Sequence, residues 1–96
     1  MKMVMIAYNE ALESELKEAV EAAGLRNFTE VAKVLGKGDT SGPHMGTHVW
    51  PKQNNLLFAA LDDDVAADVM AAVRRLRETV GHEGVKAFVL SLHDIT

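Results

Sequence analysis

Apolar residues fall into short unbroken runs and stripes of helical period that alternate along the chain, and each spacing predicts a different element. Residues 3–8 carry Val4, Met5, Ile6 and Ala7 in succession, which predicts a strand buried on both faces. Asn9 then stands where a helix N-cap belongs, with Glu10 placing negative charge in the first turn. From there Leu12, Leu16, Ala19, Val20 and Ala23 form one helical stripe, while Glu13, Lys17, Glu18 and Glu21 face water. Gly24 is placed to close this helix in a left-handed conformation, with Leu25 packing back on Val20 as in a Schellman motif. Residues 27–35, with Phe28, Val31, Val34 and Leu35 between polar neighbours, predict a second strand with one wetter side. Residues 56–61 are again apolar at successive positions and predict a third. Asp62, Asp63 and Asp64 supply the cap and first-turn charge of a second helix, whose stripe is Val65, Val69, Ala72, Val73, Leu76 and Val80. Arg74, Arg75 and Arg77 complement its C-terminal end, Gly81 closes it, and residues 85–92 predict a fourth strand.

The order strand, helix, strand, then strand, helix, strand is the βαββαβ arrangement of an α+β, ferredoxin-like fold. It places a four-stranded antiparallel sheet beneath two helices on one face, with right-handed crossovers. The first and third strands take the central positions. Successive strand side chains point to opposite faces, so strands apolar at every position need cover on the second face as well. The helices cover one face only. An uncovered apolar sheet face marks an interface, and the expectation is an obligate homo-oligomer that buries these faces against one another.

Composition narrows the classes. The chain has 96 residues, 48% of them hydrophobic, and no cysteine. It reads as one domain over 1–96 without disulfides, thiolate catalysis or cysteine metal sites. A net charge of −4 argues against nucleic acid as a partner, since a binder needs a basic surface to displace phosphate counterions. The apolar run behind Lys2 stops at Asn9, too short for an export signal or a spanning helix, which reads as a soluble cytoplasmic protein. Between the second and third strands the character changes: residues 36–54 gather Gly36, Gly38, Gly42, Pro43 and Gly46, a long loop of the kind that usually carries function.

Phe28-Thr29-Glu30-Val31 running into Leu35-Gly36-Lys37-Gly38, and Gly84-Val85-Lys86-Ala87-Phe88-Val89-Leu90 near the end, resemble the P-II signalling superfamily. These are trimeric ferredoxin-like regulators that include the nitrogen regulatory P-II proteins. The first segment looks like the strand entering the family's long T-loop, and the second like its B-loop and last strand. The resemblance implies a homotrimer that binds a small anionic ligand such as a nucleotide between subunits. It also implies a long loop that reports the bound state to a partner, often a membrane transporter or enzyme. Val85 departs from the pattern, standing where the family carries glycine before the lysine, and Thr96 follows without the family's basic C-terminal segment. The loop has no tyrosine, so uridylylation is not implied. Its sequence through Trp50 is closer to compact P-II-like proteins, some associated with metal or drug efflux transporters.

On this reading Gly84 and Lys86 hold an anion from one side, and Gly36, Lys37 and Gly38 supply a second edge from a neighbouring subunit. The plain alternative is ordinary turn glycines and solvated lysines. His44 and His48, with Met45 between them, form the main alternative site. Their three-residue separation would pair two imidazoles for Cu or Zn on a helix, which Pro43 and Gly46 argue against, with Asp39, His82 and His93 available to complete a site in metal homeostasis; the alternative is loop histidines bonded to backbone groups. Trp50 reads as a packing anchor beside the loop. The three aspartates lack the spaced oxygens of a calcium loop, and Ser41 has no elbow motif or orienting carboxylate. A non-enzymatic regulator is therefore expected.

Overall fold

Alternate residues of the first strand decide where the core lies. In the computed structural model, which describes residues 1–36 and 52–96, β1 (Lys2–Asn9) buries Val4, Ile6 and Tyr8 completely and leaves Met3, Met5 and Ala7 half-buried on the opposite face. The strand is longer by one residue at each end than the apolar run, because backbone pairing continues through Lys2 and Asn9. Asn9 does act as a cap. Its Oδ1 accepts from the Ala11 N–H at 2.8 Å, but the turn it caps is a short 3₁₀ segment, Glu10–Leu12, and α1 (Glu13–Ala22) starts only after it.

Helix α1 buries Leu16 and Val20 and ends as its sequence predicts. The Leu25 N–H donates to the Val20 carbonyl at 3.0 Å, the Gly24 N–H to the Glu21 carbonyl at 3.0 Å, and Gly24 has φ 110°, which together make the Schellman closure. Strand β2 (Thr29–Gly36) and β3 (Lys52–Leu61) follow, so Gly36 and residues 52–54 belong to strands rather than to the loop. Helix α2 (Asp63–Val80) buries Ala66, Val69, Ala72 and Val73, with Val65, Leu76 and Val80 at the margin of the core. Asp62 holds the cap position without a side-chain capping bond, and the Asp63 carboxylate pairs instead with the N-terminal ammonium at 3.0 Å. Gly81, at φ 94°, closes the helix and β4 (Val85–Ser91) completes the sheet.

The strand order is β2-β3-β1-β4, fully antiparallel, with β1 and β3 central. This is the ferredoxin-like arrangement the element order predicts. Residues directly opposite in the ladder share a face. Val4, Ile6 and Tyr8 therefore join Leu57, Ala59, Leu61 and Val85 beneath the helices, in one cluster with Leu16, Val20, Leu25, Val69 and Val73.

The second face is apolar too. Met5 lies between Phe58 and Phe88, Met3 between Ala60 and Leu90, and Val31 stands opposite Leu56. Among the described residues neither α1 nor α2 covers this side, and Phe88 and Leu90 remain 47% and 45% exposed. Among the described residues, no helix is long and apolar enough to cross a membrane.

Candidate functional site

The sheet direction brings the C-terminal ends of β1 and β2 to the same rim as the N-terminal ends of β3 and β4. Gly36 ends β2 on one edge of that rim. Gly84 and Lys86 begin β4 on the other. Three inter-strand spacings separate the edges, about 14 Å at about 4.8 Å each. Within one chain Gly36 therefore stands apart from Gly84 and Lys86.

Each described residue of that set has a local role. Gly36 pairs with Lys52 in the ladder, and a β-carbon there would lie 2.9 Å from the Asn54 side-chain nitrogen. At Gly84 a β-carbon would lie 2.7 Å from Leu12 Cδ1, and the Gly84 carbonyl accepts from the Asn9 N–H at 2.8 Å. The glycine thus seats the turn before β4 against the 3₁₀ segment. Lys86 is exposed on the uncovered sheet face opposite Ala7, with its ammonium 5.9 Å from the centre of the Phe88 ring. Arg77, in the last turn of α2, donates from Nη2 to the His82 carbonyl at 3.0 Å and fixes the turn that leads into Gly84.

Lys37, Gly38, His44 and His48 lie outside the described residues, as do Asp39, Ser41, Met45 and Trp50. His82 and His93 are exposed and flank opposite ends of β4, so the chain does not gather them. Among the described residues no group of three or more His, Cys, Asp or Glu side chains is placed to hold a metal ion.

A polar cluster that the helical pattern leaves unannounced lies toward the same rim, on the helix side. Tyr8, at the end of β1, places its hydroxyl against Glu13 Oε1 at 2.5 Å and against Glu30 of β2. Lys17 bridges both carboxylates, at 3.1 Å to Glu13 and 3.0 Å to Glu30, and stands 5.3 Å from the Phe28 ring centre. Asn55, buried on β3, donates from Nδ2 to Glu13 Oε1 at 3.2 Å and accepts at Oδ1 from the Lys33 backbone N–H at 3.1 Å.

The electrostatics follow from these contacts. The Tyr8 hydroxyl, aided by Lys17 and Asn55, holds Glu13 down to about 2 against the opposing effect of burial. Burial, reinforced by both carboxylates, pushes the Tyr8 phenol well above its ordinary value, and Glu30 followed by Glu13 raises Lys17. The cluster is a fixed set of charge-assisted hydrogen bonds joining α1, β1, β2 and β3. Glu13 and Lys17, which the stripe assigns to water, are therefore structural. The signal for it is Asn55, a polar residue in the inward register that Leu57, Ala59 and Leu61 define.

A family model described as nitrogen regulatory protein P-II matches residues 1–96. No curated protein matches the chain. Among solved structures, a PII-like signalling protein from Thermus thermophilus superposes with a TM-score of 0.64 at 28% identity, covering 93% of this chain and 82% of that one. CPII, a nitrogen regulatory PII-like protein from Thiomonas intermedia, in its apo form gives 0.67 at 15% identity over 93% and 85% of the two chains. The same protein bound to ADP, AMP and bicarbonate gives 0.68 at 17% identity over 99% and 94%. At these identities the CPII likeness is one of fold.

Proposed function

The chain belongs to the nitrogen regulatory protein P-II family, and from that premise we propose a regulatory, non-enzymatic protein of one domain. It assembles as a homotrimer, binds a small anionic ligand of nucleotide type between subunits, and contacts a partner such as a transporter or enzyme through residues 36–54. The observation that carries this reading is the uncovered apolar face of β1, β3 and β4. Burying it against further copies removes that surface from water. Assembly also supplies what one chain lacks, a way to bring the Gly36 edge of one subunit to the Gly84 and Lys86 edge of another. The CPII structures, with ADP, AMP and bicarbonate bound, support a nucleotide and a small anion as the ligands to try first.

Lys37 and Gly38 belong to the proposed Gly36 edge, and Lys86 is its counterpart. Sedimentation velocity and calorimetric titration test the two parts of the reading. The expected results are a trimer at micromolar concentration, and heat on adding ADP or AMP that Lys86→Ala abolishes without dissociating the assembly. A folded monomer, or heat unchanged by Lys86→Ala, overturns the corresponding part. The metal alternative built on His44 and His48 has no described observation in its favour.

A further inference from the structure

Strand β2 does not run regularly. Val31 pairs with Leu56 but Val34 pairs with Asn54, so β2 spends three residues where β3 spends two, and one β2 residue is extra. Lys33, inside this bulge, has φ 60°, the left-handed region that a non-glycine side chain adopts at a cost. A regular ladder continued from Val31 would set Lys33 opposite Asn54 and turn Val34 to the helix side. The bulge instead keeps Val34 on the face that carries Val31, Leu56 and Phe58, and removes a cation from it.

We infer that Asn55 is the residue that locks this register, a positioning residue that makes the β2 edge of the uncovered sheet face apolar and so fit for a second copy of the chain. The N–H of Lys33 has lost its place in the ladder, and Asn55 Oδ1 accepts it at 3.1 Å. The amide cannot turn the other way. Its Nδ2 donates to Glu13 Oε1 at 3.2 Å, and reversal would set an amide oxygen against a carboxylate and an amide donor against a backbone donor. Glu13 is itself held by Tyr8 and Lys17, which also reach Glu30 on β2 just before the bulge. The irregular segment is thus gripped from both sides by one network. This accounts for a buried asparagine in a register otherwise filled by Leu57, Ala59 and Leu61, which burial alone would fill with an apolar residue.

The inference rests on the reading that copies of the chain meet on this face, and its test separates the two. Amide hydrogen exchange at Lys33 reports the lock directly; sedimentation equilibrium reports assembly. In Asn55→Ala the Lys33 amide should exchange about threefold to tenfold faster, the factor one hydrogen bond supplies, while amides of α2 keep their protection, and the assembly should weaken. Adding Lys33→Gly, which adopts φ 60° without strain, should restore assembly while the Lys33-position amide stays fast. Asn55→Asp, which places a carboxylate against Glu13, should weaken the lock, and Glu13→Gln should recover it. An unchanged Lys33 amide in Asn55→Ala overturns the lock even if the protein is a trimer. Uniform acceleration across α2, with no rescue by Lys33→Gly, reduces Asn55 to ordinary core stability and overturns it too. If the wild type is a monomer, the assembly reading fails, and with it the role in fitness for a second copy; the Lys33 amide still decides the register lock.

Discussion

Gly36 leaves room for Asn54: across the β2–β3 ladder, a β-carbon on Gly36 would stand 2.9 Å from the Asn54 side-chain nitrogen. Backbone conformation does not explain the glycine, since only Gly24 and Gly81 among the described glycines have positive φ. Gly36→Ala should therefore push the Asn54 amide aside at a cost below about 1 kcal/mol, because the obstructing group is the end of a side chain. That corresponds to a fall in Tm of at most about 4–8 °C for a domain of this size. Thermal denaturation of Gly36→Ala, Asn54→Ala and the double variant checks it, and the double should show no added loss. A loss of ADP heat beyond the change in stability would place Gly36 in the ligand site as well.

The closure of α1 makes a sharper demand on glycine. Gly24 has φ 110°, so its backbone conformation opposes a side chain, whereas Val65 Cγ1, 3.4 Å from where a β-carbon would be, makes only an ordinary contact. Gly24→Ala should cost about 1–2 kcal/mol through backbone strain alone. Chemical denaturation should show a lower midpoint with an unchanged slope. A midpoint equal to wild type would mean that the Schellman closure rearranges freely.

The closure is legible because it depends on local sequence: Val20, Gly24 and Leu25 carry it within six residues. The same holds for the two helical stripes and for the doubly apolar β1 and β3, whose alternation leaves a face to cover. Asn9 reads as a cap, yet the helix it is assigned to starts at Glu13, because a 3₁₀ turn satisfies the same local preferences. The candidate site is less legible. Glu13 lies on the polar side of the α1 stripe, and only the pairing of β1 with β3, which sets Tyr8 beside Asn55, makes that position a network site. A β-bulge likewise leaves no signature in Val31-Ala32-Lys33-Val34, since Lys33 is not a glycine and its N–H partner lies on another strand.

Acid should reveal the network. Glu13 sits at about 2 in the folded chain, and an unfolded glutamate near 4.3. Its contribution is thus present above about pH 4.3 and disappears as pH falls through 2. The Glu13 side chain is 41% exposed, so solvent screening reduces the effect to the order of 1 kcal/mol. Glu13→Gln should be less stable than wild type at pH 7 and should lose less stability between pH 5 and 2, so the two curves converge. Urea denaturation at fixed protein concentration across that range checks this. Parallel curves would show that Glu13 draws nothing from its ionised contacts. At the alkaline end the sign reverses. Burial raises the Tyr8 phenol, so its contribution is full below about pH 10 and falls above it, and Tyr8→Phe should remove part of the alkaline loss, with Lys17 titrating in the same window.

Phe88 offers the cleanest separation of folding from assembly. It lies opposite Met5 on the uncovered face, 47% exposed, with no part in the cluster beneath the helices. Phe88→Lys leaves that cluster intact but places a charge where copies of the chain are proposed to meet, and a buried unpaired charge is far costlier than an exposed one. Sedimentation should show dissociation, and the far-ultraviolet circular dichroism of the dissociated subunit should match the wild type. Val85, three residues earlier in β4, faces the other way and is fully buried. Val85→Ala should instead lower Tm through a loss of about 1–3 kcal/mol in the core. The two faces of one strand would then give opposite phenotypes, a folded subunit that does not assemble and a weakened subunit that does. A Phe88→Lys protein that sediments as the wild type would show that this face is not where the copies meet.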